Sequence, residues 1–126
     1  MSIIPINLKY TKEHKWVHPE GNSVMTVGIT DYAQSKIGDI VFIDLPEIGK
    51  IVTSGEVIGV IESVKVASDI YSPISGKVID INTSIIDMPD SVNSNPYKSW
   101  LFKIKITSNS SIDELLDSSF YKKFIE

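Results

Sequence analysis

The apolar residues of this chain occur in short runs that rarely exceed five positions, with Gly, Pro, Asn and Ser residues between them. Runs of this length that are rich in Val, Ile and aromatic residues predict β-strands. A membrane-spanning helix would need roughly 20 consecutive apolar residues. The pattern therefore predicts a mainly β fold without a transmembrane segment. The predicted strands cover residues 10–18, 24–30, 40–45, 57–61, 77–81 and 100–106.

Two segments have helical patterns instead. Thr30 is placed to cap a short helix over residues 31–37, which Gly38 can end in a left-handed conformation. The Ser-Ile-Asp-Glu sequence that begins at Ser111 is a capping-box pattern and predicts a C-terminal amphipathic helix over residues 111–125. We expect the apolar stripe of this helix to face the core. The stripe consists of Ile112, Leu115, Leu116, Phe120 and Phe124.

Length and charge limit the classes of protein to which the chain can belong. Its 126 residues suit one domain with one core, in which residues 1–9 are a variable N-terminal segment. A net charge of −4 argues against nucleic-acid binding, which requires neutralisation of phosphates. The first ten residues lack a secretory or transit pattern. We therefore expect a cytoplasmic protein, or a mitochondrial matrix protein if the chain is eukaryotic and already processed.

The side chains that the sequence lacks restrict its chemistry further. There is no cysteine, and all twelve basic residues are lysine. The chain therefore has no thiol nucleophile, no thiolate metal site and no guanidinium clamp of its own. His14 and His18 are the only imidazoles, and two ligands fall short of the three or four protein ligands of a usual metal site. We expect no metal site and no catalysis by the chain alone, so any thiol chemistry must come from a cofactor.

Lys65 is the candidate functional residue. The predicted strands at 57–61 and 77–81 form the arms of a central hairpin, and Lys65 falls at its tip. A lysine in a turn is usually only a solvated charge, but this one lies between small and apolar neighbours, with an acidic residue on each side. Because a free lysine is almost fully protonated at pH 7, acylation of its amine requires an enzyme. We expect Glu62 and Asp69 to be recognition or turn residues rather than a general acid and base.

The segment around Lys65 resembles the lipoylation signature of the H proteins of glycine cleavage systems. The signature is Glu-Ser-Val-Lys-Val-Ala-Ser-Asp at residues 62–69, followed by Ser-Pro-Ile-Ser-Gly at residues 72–76. The similarity covers nearly all of residues 10–125. It extends to Tyr10, Thr11, His14 and Trp16, to residues 27–34 and 38–39, to Val92 and Asn93, to Pro96 and Tyr97, and to residues 100–105.

The resemblance implies both a fold and a site. The fold is a barrel-sandwich hybrid like that of lipoyl and biotinyl domains, with two small antiparallel sheets, short flanking helices and a C-terminal helix. The cofactor is lipoate, joined covalently as an amide to Lys65. Glu62, Ser63 and Asp69 are implied as residues that assist the binding of this group.

The resemblance also implies a carrier function. An H protein takes the aminomethyl group of glycine from a pyridoxal phosphate-dependent glycine decarboxylase to an aminomethyltransferase, and it passes electrons to dihydrolipoyl dehydrogenase. A lipoate ligase or a lipoyl/octanoyl transferase would attach the cofactor. We expect a monomer, and its modest acidity suits transient docking to these partners.

Two positions depart from the family pattern. Where the family often has an acidic residue between the matches to His14 and Trp16, this chain has Lys15. The resemblance assigns that acidic residue to holding the aminomethyl-loaded arm, so we expect a weaker hold here, with Asp69 as the remaining carboxylate. Between Tyr97 and Trp100 the family usually has a longer turn that contains glycine, and here only two residues intervene.

Alternative classes of protein remain open at this point. In biotinyl domains, methionines usually flank the carrier lysine, whereas Val64 and Val66 flank it here. A lipoyl domain of a 2-oxo acid dehydrogenase would be shorter and would lack the C-terminal helix. A member of the H protein family without lipoate, acting as a binding scaffold or in a lipoate relay, is the third alternative.

Overall fold

The computed structural model describes residues 2–107 and 112–126, and β-strands dominate it. In chain order, the strands are β1 (Lys9–Tyr10), β2 (Lys15–Gly21), β3 (Val24–Ile29), β4 (Ile40–Asp44), β5 (Ile51–Val52), β6 (Val57–Ser63), β7 (Ala67–Tyr71), β8 (Gly76–Ile81) and β9 (Phe102–Ile106). The α-helices are α1 (Asp31–Ile37), α2 (Ser84–Asp87), α3 (Ser91–Ser94) and α4 (Ser118–Ile125). Within the described part of the chain, no helix is long and apolar enough to cross a membrane.

The strands form two antiparallel sheets. The larger sheet has six strands in the order β1-β2-β3-β9-β8-β5, and the smaller sheet has three strands in the order β4-β6-β7. All neighbouring strands run antiparallel. The expectation of a mainly β fold with two antiparallel sheets, short helices and a C-terminal helix is confirmed.

One hydrophobic core draws side chains from both sheets. Strand β9 shows how the sequence pattern builds it, because Phe102, Ile104 and Ile106 are buried while Lys105 between them is exposed. Burial of each such side chain contributes about 1.5–3 kcal/mol. A second, smaller cluster lies under α4 and the N-terminal segment, and it consists of Leu8, Tyr10, Trp16 and Tyr121.

Helix α1 begins and ends where the sequence predicts. The hydroxyl of Thr30 accepts a hydrogen bond from the backbone N–H of Ala33 at 3.2 Å, which satisfies one of the free donors at the helix N-terminus. Gly38 ends the helix with a φ of 87°, a conformation that glycine adopts without steric cost. The helix therefore has a fixed end next to the hairpin that carries Lys65.

The predicted strand over residues 10–18 is interrupted in the structure. Strand β1 ends at Tyr10 and β2 begins at Lys15, because a turn between them makes the two segments pair with each other. The hydroxyl of Thr11 accepts a hydrogen bond from the backbone N–H of Lys15 at 3.1 Å, and His14 has a φ of 66° in this turn. The two histidines therefore do not share one strand face.

The hairpin that carries Lys65 has a different second arm from the one predicted. Strand β6 pairs with β7, whereas β8, which contains the run at 77–81, lies in the larger sheet between β5 and β9. Strand β6 is the middle strand of the smaller sheet, and it is only partly buried. Ile58 and Ile61 are buried while Val57 is exposed.

The C-terminal helix is shorter than predicted. A 3-10 helix over Ile112–Glu114 precedes α4, and Ser111 of the predicted capping box lies outside the described residues. Asp117 caps α4 instead, because its carboxylate accepts a hydrogen bond from the backbone N–H of Phe120 at 2.9 Å. The expected core-facing stripe is wrong at two positions: Phe120 is 63% exposed and Phe124 47%.

Candidate functional site

Ser63 shapes the tip of the β6–β7 hairpin. Its hydroxyl accepts hydrogen bonds from the backbone N–H groups of Lys65 at 3.2 Å and Val66 at 3.1 Å. Its own N–H donates to the carbonyl of Val66 at 2.8 Å, which closes the turn. These bonds give a turn without Gly or Pro a defined conformation.

The Lys65 side chain projects into solvent and lies across the C-terminal end of α1. Lys65 is exposed, and neither salt bridge within the described residues involves its amine. A Cβ placed on Gly38 would lie 3.1 Å from Cε and 3.8 Å from Nζ of Lys65. Glycine therefore leaves the space in which the lysine stem rests, and the amine remains reachable by an enzyme.

A side chain from the long 82–99 connection fixes Gly38 in this position. The side-chain amide of Asn93 donates to the carbonyl of Gly38 at 2.8 Å and to the side-chain oxygen of Gln34 at 3.0 Å. Its oxygen accepts from the backbone N–H of Ile40 at 2.9 Å. The backbone N–H of Val64 also donates to the carbonyl of Asp39 at 3.1 Å, so the hairpin tip and the end of α1 are held together.

Exposed apolar side chains flank Lys65 at the hairpin tip, and a further one lies opposite Glu62 on β4. Val64 is 72% exposed and Val66 46%, and Phe42 on the neighbouring strand is 48% exposed. Exposed apolar groups gathered at one place are typical of surfaces that bind other proteins. The hairpin tip thus offers a contact surface as well as an amine.

The two acidic residues of the signature lie on the smaller sheet below the tip. Glu62 stands opposite Phe42 and Ala67, and Asp69 stands opposite Val60. Both acidic side chains are exposed. Because residues 67 and 69 are two positions apart on a strand, Glu62 and Asp69 belong to the same face of the sheet.

A groove of about 160 Å³ begins beside α1 and reaches β7. Ile37 and Lys36 of α1 line one side, and Ser68 and Asp69 of β7 line the other. Lys15 and its two preceding residues close the groove. Ile37 directly precedes Gly38, so the groove lies next to the place where the Lys65 side chain rests.

Lys15 is the residue of this groove whose environment differs most from the sequence-based expectation. Only 5% of Lys15 is exposed, and its amine donates a hydrogen bond to the backbone carbonyl of Glu13 at 2.9 Å. Burial lowers the pKa of Lys15 to about 8, and the Glu13 carboxylate opposes this effect. No residue pattern indicated the burial, since a lysine next to a turn is normally solvated.

The contacts of His14 are with residues that hold the fold together. Its Nδ1 lies 2.8 Å from the hydroxyl of Tyr121, and that hydroxyl lies 2.7 Å from the hydroxyl of Thr30. Burial lowers the pKa of His14, and the charge of Lys15 adds to this effect. These contacts tie the 11–14 turn to α1 and α4. His18 is elsewhere, and its Nδ1 lies 2.9 Å from a carboxylate oxygen of Glu20.

The fold and the site together define a class of protein. A small β domain that displays one lysine at the tip of an exposed hairpin, with an apolar rim and no cysteine of its own, has the architecture of a cofactor carrier domain. The groove next to the lysine supplies apolar surface from Ile37 and Ile61.

Comparison with known proteins identifies the family. The model of the glycine cleavage H-protein family matches residues 8–126. The chain is 53% identical over 126 residues to the glycine cleavage system H protein of Burkholderia cenocepacia, with full coverage of both chains. It is 56% identical over 122 residues to that of Paraburkholderia phytofirmans, with 97% of each chain covered. The chain therefore belongs to the family of glycine cleavage H proteins.

A solved structure agrees with this assignment. The crystal structure of a glycine cleavage system H protein from Mycobacterium marinum superposes with a TM-score of 0.86 at 36% identity, covering 95% of this chain and 97% of that one. The barrel-sandwich hybrid fold and the family that the sequence resembled are confirmed. Members of this family are the lipoyl carriers of glycine cleavage systems, and this chain has that role.

Proposed function

We propose that Lys65 carries the lipoyl group as an amide on Nζ. The observation that supports this most directly is an exposed lysine without an ion pair in the described structure, at the tip of a hairpin that Ser63 holds in a defined conformation. The other side chains near Lys65 also suit an acylated lysine, because Gly38 leaves room for the stem and Val64 and Val66 give an enzyme apolar surface to contact.

Three parts of the fold support the proposed carrier function. The β6–β7 hairpin holds the attachment point away from the sheet, and Asn93 braces the end of α1 beneath it. The groove beside α1 offers Ile37 and Ile61 to the hydrocarbon part of an attached arm. When bound, the lipoyl group supplies a dithiolane that carries the aminomethyl group of glycine and a pair of electrons.

The partners follow from the carrier role. We assign them as glycine decarboxylase, aminomethyltransferase and dihydrolipoyl dehydrogenase, with a lipoate ligase or a lipoyl/octanoyl transferase as the modifying enzyme. A tethered arm raises the effective concentration of its end at a docked partner, so docking can stay weak. In this role the partner enzymes supply the catalysis and the chain only carries the group. Glu62 and Asp69 lie on the exposed face near Lys65, where they would contact these enzymes. We propose a cytoplasmic location, because the relatives that the chain matches are bacterial. The monomeric state stays an expectation from the sequence.

Intact-mass measurement tests the attachment site. The chain is expressed in cells whose own H protein is lipoylated, and that protein serves as the internal control for lipoate supply. We expect one lipoyl increment on the wild-type chain, none on Lys65→Arg, and one on Lys77→Arg, which changes an exposed lysine of β8. Arginine keeps the charge at position 65, so loss of the increment reports the amine rather than the fold.

The other outcomes would contradict the proposal in distinct ways. A biotin increment would assign the chain to biotin carriers. An unmodified chain beside a lipoylated host H protein would indicate a scaffold without a cofactor. A lipoyl increment that persists in Lys65→Arg would place the attachment at another lysine.

A further inference from the structure

The charges of the chain are unevenly distributed over the fold. Residues 39–90 contain nine of the sixteen acidic residues but only three of the twelve lysines. This segment builds the whole smaller sheet, with the Lys65 hairpin, and adds β5 and β8 to the larger sheet. The remainder of the chain has nine lysines against seven acidic residues, so it is positively charged although the whole chain is acidic.

The 11–15 turn, α1 and α4 pack together in this positive part. The ring centroid of His14 in the turn lies 4.8 Å from that of Tyr32 in α1 and 6.0 Å from that of Phe124 in α4. The Nδ1 atom of His14 also lies 2.8 Å from the hydroxyl of Tyr121. We call the outer surface of these three elements the α1–α4 face, and it consists of Lys12, Tyr32, Lys36, Phe120, Lys123 and Phe124.

Lysines lie beside aromatic rings on the α1–α4 face. The Nζ atom of Lys36 lies 5.4 Å from the ring centroid of Tyr32, and that of Lys12 lies 6.0 Å from the ring centroid of Phe124. Lys12, Lys36 and Lys123 are exposed, and neither salt bridge of the described residues involves them. Their charges are therefore open to a partner.

Helix α4 adds apolar area to these charges. Phe120 and Phe124 are four positions apart and Lys123 is three positions after Phe120, so the aromatic pair and the lysine share the outer side of the helix. Phe120 is 63% exposed and Phe124 47%. Exposed aromatic side chains are typical of the central part of protein interfaces.

The acidic groups near the α1–α4 face do not neutralise it. The carboxylates of Asp31 and Asp117 each accept a hydrogen bond from a backbone N–H group, and they lie at the N-terminal ends of α1 and α4. The positive ends of the two helix dipoles offset part of their charge. Glu13 and Glu126 are exposed, and Lys122 adds a fourth exposed lysine to the three of the face. The positive charges therefore remain in excess.

The α1–α4 face begins next to the carrier lysine. Lys36 is two residues before Gly38, and the stem of Lys65 lies across Gly38. Two residues of a helix span about 3 Å along its axis. An enzyme that covers the face therefore has the edge of its contact beside the point from which an attached arm extends.

We propose that the α1–α4 face docks an acidic patch with exposed apolar side chains on one of the enzymes that use the arm of Lys65. The proposal rests on the proposed carrier function. Opposite charges speed the encounter and orient the two proteins, and the aromatic side chains supply the contact area. Residues 39–90 would repel the same patch, so the charges of the chain allow one orientation of approach and oppose the reverse one.

Steady-state kinetics with the lipoylated chain as substrate test this proposal. The host's own glycine decarboxylase, aminomethyltransferase and dihydrolipoyl dehydrogenase are each assayed at ionic strengths of about 0.01 and 0.15 M. The double variant Lys12→Gln/Lys123→Gln removes two charges from the face. The control, Lys77→Gln/Lys105→Gln, removes two exposed charges from paired positions of β8 and β9. Intact mass verifies one lipoyl group and circular dichroism verifies the fold in every sample.

We expect the face variant to raise the KM of one of the three enzymes about fivefold or more at the lower ionic strength, with kcat nearly unchanged. Salt should reduce this difference, because it screens exposed charges. The control variant has the same net charge and should stay within about twofold of the wild type. Phe120→Ala should raise the KM of the same enzyme at both ionic strengths, since an apolar contact is not screened, whereas Val57→Ala, an exposed position of β6, should not.

Three results would overturn the proposal. An unchanged KM for all three enzymes in the face variant would show that none of them docks there. An equal rise in the control variant would show an effect of net charge alone. Sedimentation of the chain alone gives the third: self-association at low salt that the face variant abolishes would assign the face to a second copy of the chain. The lipoyl increment would still be present in these cases, so the proposed function would stand, whereas a wild-type chain without the increment would remove both.

Discussion

Lys15 is the only charged residue among the buried polar side chains of the described structure, and its burial has an energetic cost. The pKa of Lys15 is about 8 in the fold, whereas an exposed lysine titrates near 10.4. Between these two values the unfolded chain binds more protons than the folded chain, so stability rises with pH over this range. At pH 7 the folded chain therefore carries a destabilisation of about 3 kcal/mol from this one group.

Replacement of this ammonium by an apolar side chain of similar length should stabilise the protein. We expect Lys15→Met to raise the free energy of unfolding by about 2–3 kcal/mol at pH 7, and by less than about 1 kcal/mol near pH 10, where the amine is neutral in the folded wild type and close to its titration midpoint in the unfolded chain. Urea denaturation of the unlipoylated proteins at both pH values measures this difference.

The control for this prediction is Lys36→Met, an exposed position on α1, where we expect little change at either pH. Burial raises the pKa of Tyr10 and Tyr121, which costs stability above pH 10 but affects all three proteins alike. A gain in Lys15→Met that does not depend on pH would mean that better packing, and not the removed charge, is responsible.

At the scale of single residues, the sequence predicts the exposure of Lys65 but not the burial of Lys15. The exposure of Lys65 could be predicted because its motif is local and its setting is a turn between small and apolar neighbours. The burial of Lys15 could not be predicted, since it depends on the positive φ of His14 and on α1 packing above the turn. These are tertiary effects that local sequence does not record.

At the scale of elements, α4 shows why periodicity alone misplaced a helix face. The sequence predicted one helix from residue 111 to 125, whereas the described helix begins at Ser118 after the cap at Asp117. Residues 112–114 form a 3-10 helix instead of an α-helix, and Leu116 forms an isolated β-bridge with Tyr10 of β1. The helix face toward the protein then centres on Tyr121, whose ring stacks on that of Tyr10 at 4.7 Å.

The orientation of α4 can be tested with two neighbouring substitutions. We expect Tyr121→Ala to cost about 3–5 kcal/mol in the free energy of unfolding, because it empties a fully buried site and leaves Thr30 and His14 without their shared partner. Phe120→Ala should cost less than about 1 kcal/mol, since its ring is exposed. Chemical denaturation of both variants measures the contrast.

The reverse ranking would support the stripe that the sequence predicted, with Phe120 facing the core. Lys122→Ala, an exposed position on the same helix, serves as a control for the effect of an alanine substitution on the helix itself. Its expected cost is below about 0.5 kcal/mol.

The hairpin shows a second limit of element prediction. The strands at 57–61 and 77–81 are confirmed as strands, but their predicted pairing is wrong, because β7 between them has too few apolar residues to be predicted as a strand. Only Ile70 of β7 is buried, and Asp69 and Tyr71 are exposed at the edge of the smaller sheet. An edge strand with one core residue has no clear apolar alternation. The apolar pattern therefore favours pairing of β6 with the next apolar run, at residues 77–81, instead of with β7.

At the scale of the whole molecule, the two sheets share a core and support one site. Ile61 and Ile70 of the smaller sheet belong to the same buried cluster as Val27 and Ile104 of the larger one. The position of Lys65 depends on this union, since the hairpin belongs to the smaller sheet while the 11–15 turn that closes the groove joins strands of the larger one. A shared core predicts that the sheets unfold together.

A substitution in the smaller sheet can test that cooperativity with probes in the larger one. At Gly59 of β6 a Cβ would overlap the backbone carbonyl oxygen of Asp44 in β4, so Gly59→Ala must displace a strand of the smaller sheet. We expect a loss of about 2 kcal/mol or more in the free energy of unfolding. Trp16 lies in β2 of the larger sheet and is buried, and the other tryptophan, Trp100, lies just before β9 of the same sheet, so tryptophan fluorescence reports the other half of the molecule.

The fluorescence midpoint and the circular dichroism midpoint in urea should fall together in Gly59→Ala. Val57→Ala changes an exposed position on the same strand and should leave both midpoints nearly unchanged. A fluorescence midpoint that stays at the wild-type value while circular dichroism shows an early transition would mean that the smaller sheet unfolds alone. The groove between the sheets would then open without loss of the larger sheet.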